Sequence, residues 1–208
     1  MKKPLLIYGG GGLGREVLSL IACDEQWEPV GFIDDGLTKG LEIKGVKVLG
    51  GIEALNGLRE TFSLVLAIGD PGIKATIRSR ISNPSINFPV LRHPSVLLQD
   101  AGSIPIGEGS ILTAGVIVTT DVVIGNYVLI NLNSTVGHNS HIGNYASLMP
   151  GVNVAGYVRI GERVFIGAGA NIINNVVLGD GCKVGMGAAV IQDVPSGVTV
   201  VGVPAKSL

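Results

Sequence analysis

From Pro105 onward the aliphatic positions recur every six residues. Read in blocks of six, the chain runs PIGEGS, ILTAGV, IVTTDV, VIGNYV and so on to AVIQDV, fifteen blocks in all. The second slot of every block is aliphatic, from Ile106, Leu112 and Val118 through Ile142 to Val184 and Val190. Ile, Leu and Val supply 69 of the 208 residues, so random placement would fill all fifteen slots roughly once in ten million trials. The sixth slot takes only Ser, Ala, Cys or Val, and Gly follows the aliphatic slot in eight blocks, among them Gly107, Gly125, Gly137 and Gly143. A period of six matches neither the 3.6 of a helix nor the 2 of an alternating strand. It predicts short strands that each bury one aliphatic side chain, joined by turns that admit small residues. A single block cannot bury its side chain alone, so the blocks must stack into one continuous core.

Residues 1–95 have a different texture. LLIYG at 5–9 reads as a buried strand, followed by GGGGLG and a helix starting near Arg15. PVGFIDD (29–35), VKVLGG and LVLAIG (64–69) read as further strands, with helix-like stretches at 52–60 and 71–82. Strands alternating with helices predict a small parallel α/β domain over 1–95, ahead of a β-solenoid over 96–208. FPVLRHPS (88–95) reads as the crossing segment between them.

Gly9, Gly11 and Gly14 fit G-x-G-x-x-G between a strand and a helix, with Asp34 about 20 residues further on. That pattern places a phosphate at a helix N-terminus. Four consecutive glycines satisfy many patterns, so three readings stay open: a nucleotide of some kind, NAD in particular, or a tight strand-to-helix turn with no ligand. No dehydrogenase residue accompanies the loop.

Composition narrows the function classes. With 15 basic and 16 acidic side chains, the chain lacks the basic footprint of a nucleic-acid binder. The apolar run near the N-terminus is too short for a signal peptide or a membrane span. Cys23 and Cys182 lie far apart and share no metal-like spacing with the three histidines, so a reduced cytoplasmic protein without a metal is expected.

The hexad pattern resembles the hexapeptide-repeat acyltransferases. The resemblance implies a left-handed parallel β-helix of about five turns, three hexads per turn, and a homotrimer with active sites between neighbouring prisms. The left hand comes from the resemblance alone, because the usual rule for parallel crossovers gives the opposite hand. The order YGGGG, FIDD, AIG, HPS, hexads and GVPAK spans nearly the whole chain. It is similar to the bacterial sugar acetyltransferases that include sialic acid O-acetyltransferases and UDP-4-amino-sugar N-acetyltransferases. That similarity implies an acetyl-CoA-dependent sugar acetyltransferase of cell-surface polysaccharide biosynthesis. A Rossmann-like N-terminal domain would hold the sugar nucleotide, with Gly10, Gly11 and Gly12 at its phosphates and Asp34 and Asp35 at its nucleoside. Leu13 stands where relatives commonly carry a histidine.

Acetyl transfer to an amine or hydroxyl needs a base for the nucleophile's proton and a donor for the developing oxyanion. Histidine suits the first task because imidazole exchanges its proton near neutral pH. Of the three candidates, His93 sits in the connecting segment and His141 opens a hexad. His138, in TVGHNSHIG, matches the place of the catalytic base in relatives. Asn139 follows where relatives often have a carboxylate; its amide oxygen can fix the imidazole tautomer but supplies no charge to an imidazolium. The match further implies that the Gly156 N–H meets the thioester carbonyl. Ala168, Met186 and Gly187 would line the pantetheine arm, and Lys206 would meet a CoA phosphate. Ser147 replaces a histidine of some relatives. N-acetylation of a nucleotide-linked amino sugar leads, with O-acetylation of a sialic acid and a non-catalytic trimeric scaffold as alternatives.

Overall fold

A computed structural model describes residues 2–208. The N-terminal region is a six-stranded sheet in the order β3-β4-β2-β1-β5-β6. It is built from β1 (Lys3–Tyr8), β2 (Trp27–Ile33), β3 (Glu42–Ile43), β4 (Val46–Gly50), β5 (Phe62–Leu66) and β6 (Ile86–Asn87). All pairings are parallel except the β3–β4 hairpin. Helices α1 (Gly12–Ala22), α2 (Ile52–Asn56) and α3 (Pro71–Arg80) alternate with the strands, as a Rossmann-like α/β domain requires. Helix α1 begins three residues before Arg15, because Gly11 is the last extended residue ahead of it. Helix α2 stops at Asn56, four residues short of the expected end, with Gly57 closing it onto the Glu53 carbonyl. The α3 N-cap is Asp70, whose carboxylate accepts from the Ile73 N–H at 2.8 Å.

The rest of the chain is a left-handed parallel β-helix of two-residue strands. Its strands stack on three faces. Face 1 runs from Leu91–Arg92 through 111–112, 129–130, 147–148, 165–166 and 183–184 to Thr199–Val201, with Lys206–Ser207 added antiparallel. Face 2 runs from 97–98 to 189–190, and face 3 from 123–124 to 177–178. Partners in the body of the solenoid, such as Thr135 and Asn153, lie eighteen residues apart, so one coil is three hexads. The first coil is longer, with Leu91 pairing with Ile111, and the last is shorter, with Lys183 pairing with Thr199. Leu91–Arg92 is therefore already a solenoid strand, ahead of the division drawn at residue 96.

Each slot of the hexad has a physical job. Fourteen of the fifteen second-slot aliphatics are buried, and Ile106, in the first block, is partly buried against the same core. Burying one such side chain is worth about 1.5–3 kcal/mol, and the columns repeat it coil after coil. Sixth-slot residues are buried too, from Ser110 to Val194, where the corners are too crowded for long side chains. The third-slot glycines permit close stacking: a Cβ on Gly137 would lie 2.6 Å from the carbonyl carbon of Ala155 in the next coil. The fifth slot is left-handed in the first fourteen blocks, at φ near 55–75° from Gly109 to Gly187. Gly, Asn and Asp suit that conformation, whereas the Tyr and Arg found there are held in it against preference.

The α/β domain sits on face 1. First-slot residues point outward; Ile117 and Val123 on faces 2 and 3 are 36% and 40% exposed, whereas Ile111, Leu129 and Ser147 on face 1 are buried. Ile111 and Leu129 join the core formed by β1, β2, β5 and α1. Lys74 of α3, only 2% exposed, donates its Nζ–H to Ser147 Oγ at 3.0 Å. Burial pushes its ammonium down to about 7, against a small opposing pull from Asp70.

Candidate active site

The fourth slot of each block stands at an edge of the prism, and the three edges differ. Between faces 2 and 3 the fourth-slot column contains Thr120, His138, Gly156 and Asn174. His138 is exposed and lies over Gly156 of the next coil. A Cβ on Gly156 would sit 2.7 Å from both Cε1 and Nε2 of the imidazole, so only glycine leaves room for the ring. Asn139 is left-handed, at φ 57°, which turns its amide back to put Oδ1 3.0 Å from His138 Nδ1. With that oxygen accepting, Nδ1 carries the proton and Nε2 presents its lone pair. Tyr157 packs edge-to-face with His138, ring centroids 5.1 Å apart at 88°. The Gly156 N–H donates to no acceptor among the described residues, which leaves it available to an incoming oxygen.

Between faces 1 and 2 the edge is almost bare. Its fourth-slot column includes Pro150, Ala168 and Met186, and the fifth slots beside these three are Gly151, Gly169 and Gly187. Nothing lies within 4 Å of where a Cβ would stand on Gly169 or Gly187, and Met186 is 79% exposed. A ligand can therefore reach the main chain along this rail. Ala168, Met186 and Gly187 are thus together, but on a different edge from His138, Asn139 and Gly156. The two edges flank face 2, where a shallow hollow of about 410 Å³ is lined by Thr135, Asn153, Asn171, Ile173 and Ile191 among others. Lys206 is exposed on the last strand of face 1.

In the α/β domain the glycine loop keeps its geometry. Gly9 has φ 101°, and a Cβ on Gly14 would run into the Gly9 carbonyl, so both are dictated by the turn. Gly11 and Gly12 face open space at the start of α1. Beside them a cleft of about 350 Å³ is lined by Gly10, Leu37 and Ile43 among others, with Arg15 and Lys44 as its cations and Glu42 as its carboxylate. Asp34 braces this loop, accepting from the Gly10 and Gly36 N–H groups at 2.8 Å each. Asp35 has internal partners for both oxygens: the Ile52 N–H at 2.7 Å and the Tyr8 hydroxyl at 2.7 Å, with Arg80 at 3.4 Å. The Ile52 N–H and then Tyr8 hold its carboxyl below the usual carboxylate range, while burial raises the Tyr8 phenol.

The remaining candidates are accounted for locally. His93 Nδ1 accepts from the Ser95 N–H at 3.1 Å in the turn after the first solenoid strand. His141 is an outward first-slot residue of face 3. Leu13 packs against the domain core, and Ser147 lies under α3 as the acceptor for Lys74. Sequence reasoning passed over Tyr157 and Lys74. The signal for Tyr157 was a bulky ring in a slot that mostly takes Gly, Asn or Asp; Lys74 gave none, because nothing in α3 announces which side chain the solenoid will cover.

Known proteins agree with this layout. Residues 4–81 match the PglD N-terminal domain, 157–192 the bacterial transferase hexapeptide (six repeats), and 100–120 the hexapeptide repeat of succinyl-transferase. GDP-perosamine N-acetyltransferase of Escherichia coli O157:H7 is 32% identical over 160 residues, 73% of this chain and 70% of that protein. The acetyltransferase domain of PglB from Neisseria gonorrhoeae FA1090, solved with acetyl coenzyme A, superposes with a TM-score of 0.92 at 32% identity, covering 100% of both chains. PerB from Caulobacter crescentus, solved with CoA and GDP-perosamine, gives a TM-score of 0.90 at 32% identity over 99% of this chain and 97% of that one. With its α/β domain, its hexad solenoid and these full-length likenesses, the chain belongs to the hexapeptide-repeat sugar acetyltransferase family.

Proposed function

We propose that this protein transfers the acetyl group of acetyl-CoA to the amino group of a nucleotide-linked amino sugar. The observation that carries the reading is the edge between faces 2 and 3. There an imidazole with a fixed tautomer lies above a glycine whose N–H has no partner, in a chain that aligns along its length with the acetyltransferase domain of PglB and with PerB. His138 Nε2 takes the amine proton as nitrogen attacks the thioester carbon. The Gly156 N–H meets the oxygen that gains charge. The C–S bond breaks, an amide forms, and the proton held on His138 passes to the departing thiolate. Relatives named for N-acetylation favour the amine over a sugar hydroxyl.

The sugar nucleotide is assigned to the α/β domain, and acetyl-CoA with the chemistry to the solenoid, whose first strand is Leu91–Arg92. Gly10, Gly11 and Gly12 approach the diphosphate at the α1 N-terminus, with Arg15 and Lys44 as cations in the same cleft. Asp34 holds that loop in shape, and Asp35, through Ile52 and Tyr8, ties it to the start of α2. Ala168, Met186 and Gly187 carry the pantetheine arm, and Lys206 a CoA phosphate. Because His138 and this rail occupy different edges, we assign a homotrimer in which the His138 edge of one copy faces the rail of the next. Apolar Ile117, Ile173 and Ile191 exposed on or beside face 2 supply a contact surface. No helix among the described residues is long and apolar enough to cross a membrane. We place the enzyme in the cytoplasm, where acetyl-CoA and nucleotide sugars are made.

The test is thiol release from acetyl-CoA in the presence of GDP-perosamine, UDP- and TDP-linked 4-amino sugars, and sialic acid. Release with an amino sugar, lost in His138→Ala, is expected. Release with sialic acid alone would replace the amine by a hydroxyl, and failure to bind acetyl-CoA at all would leave a scaffold.

A further inference from the structure

We propose that Tyr157 is a positioning residue for the base: its ring holds the His138 imidazole over Gly156 in the orientation from which Nε2 takes the acceptor's proton. The inference rests on the assignment of His138 above. Three tyrosines occupy the left-handed fifth slot: Tyr127, Tyr145 and Tyr157, at φ 55°, 62° and 60°. A bulky residue there is strained, and such outliers persist where the surroundings require them. For Tyr127 and Tyr145 the requirement is visible. They stack on each other at 5.1 Å and 9°, and Tyr127 adds an edge contact to Phe88 under the α/β domain. Tyr157 belongs to no such cluster. It is 54% exposed, its hydroxyl bonds to nothing among the described residues, and the one ring beside it is His138.

The geometry suits a clamp. The Tyr157 N–H donates to the His138 carbonyl at 2.8 Å, so the two residues are tied coil to coil. Asn139 restrains a single ring atom, Nδ1, and leaves an exposed imidazole free to swing about that bond. An edge-to-face partner restrains the plane of the ring as well. The absence of Cβ on Gly156 lets the imidazole settle against the main chain between them. Asn or Gly at 157 would suit the backbone better and would leave the imidazole plane unsupported.

Steady-state kinetics with acetyl-CoA and GDP-perosamine, or the amino sugar the panel selects, tests this beside ¹³C,¹⁵N-histidine NMR of the trimer, which needs no acceptor. Tyr157→Asn should lower kcat by about three- to tenfold without changing KM for acetyl-CoA or the melting temperature for the worse. It should also average the His138 ring resonances that are single in the parent. Tyr157→Phe should restore both. A Tyr157→Asn enzyme with the parent's kcat and ring resonances overturns the inference. So does a Phe variant as impaired as the Asn variant, or a loss traced to dissociation by light scattering. Full activity in His138→Ala would instead sink the underlying assignment of the base, an outcome distinct from a normal Tyr157→Asn beside a dead His138→Ala.

Discussion

On the edge between faces 3 and 1, three of the five fourth-slot main-chain N–H groups are capped by the side chain one coil on. Glu108 donates to Asn126, Asn126 to Asn144 and Glu162 to Asp180, at 2.8–3.1 Å. The left-handed slot beside them holds Tyr127 and Tyr145, buried or half-buried under the α/β domain. Tyr127 accepts from Arg78 Nε at 2.6 Å and donates to Glu108 at 2.7 Å; burial keeps its phenol protonated well above the usual range. Between faces 2 and 3 the same slots hold His138, Gly156 and Tyr157, with the Gly156 N–H left over and nothing on top. The same left-handed backbone geometry is thus buttressed on one edge and left open on the other, where we place the chemistry. The difference lies in whether polar groups are satisfied internally.

The largest effect should come from removing the base. His138→Ala is expected to cost about 10²–10⁴-fold in kcat while the melting temperature persists, since the side chain is exposed. Next is Gly156→Ala. Its Cβ would stand 2.7 Å from Cε1 and Nε2 of His138, so the imidazole must move. A misplacement of about 1 Å can cost on the order of 10²-fold, and acetyl-CoA affinity should fall less than kcat. If Gly156→Ala retains the parent's kcat, then His138 does not act from the place it occupies here, and the contrast between the edges fails.

The opposite behaviour is expected across the prism. Tyr127→Ala removes a ring that is 3% exposed and leaves Arg78 and Glu108 without their shared hydroxyl. Stability should drop by about 3 kcal/mol or more, read as a lowered urea midpoint, with kcat per folded protein retained. A Tyr127→Ala protein of normal stability and low kcat would mean that the buttressed edge also carries chemistry.

The solenoid was legible because its period repeats: a second slot that must be aliphatic, seen fifteen times, outweighs any local preference. The pairing of His138 with Asn139 was legible through a family pattern, and Gly9 and Gly14 through a turn that admits little else. What stayed hidden depends on the third dimension. The separation of His138 from Ala168 and Met186 onto two edges is not of that kind, because their thirty- and forty-eight-residue offsets are five and eight hexads, neither a whole number of three-hexad coils. The internal bonding of Asp35 to Ile52 and Tyr8 required knowing where α2 begins. Which residues lie beneath the α/β domain could not be read at all, because Leu129 and Ser147 occupy the same slot as the exposed Val123 and His141.

That covered face contains a lysine whose effect should depend on pH in a definite sense. Lys74 is held at about 7 by burial, below its unfolded value of 10.5. Below pH 7 the folded protein must therefore keep an ammonium in a site that disfavours it, and the full penalty is present. Between about 7 and 10.5 the unfolded chain still binds a proton that the folded chain has released. Stability from this group then rises with pH by up to about 1.4 kcal/mol per pH unit, until the penalty is gone. Lys74→Met removes the titration and leaves only the loss of the hydrogen bond to Ser147, worth about 1 kcal/mol at every pH. Urea unfolding of both proteins from pH 6.5 to 9.5 should show the parent gaining on Lys74→Met as pH rises. Parallel curves would mean that the lysine titrates alike in the folded and unfolded chains, and that the seam over face 1 is open to water where the structure closes it.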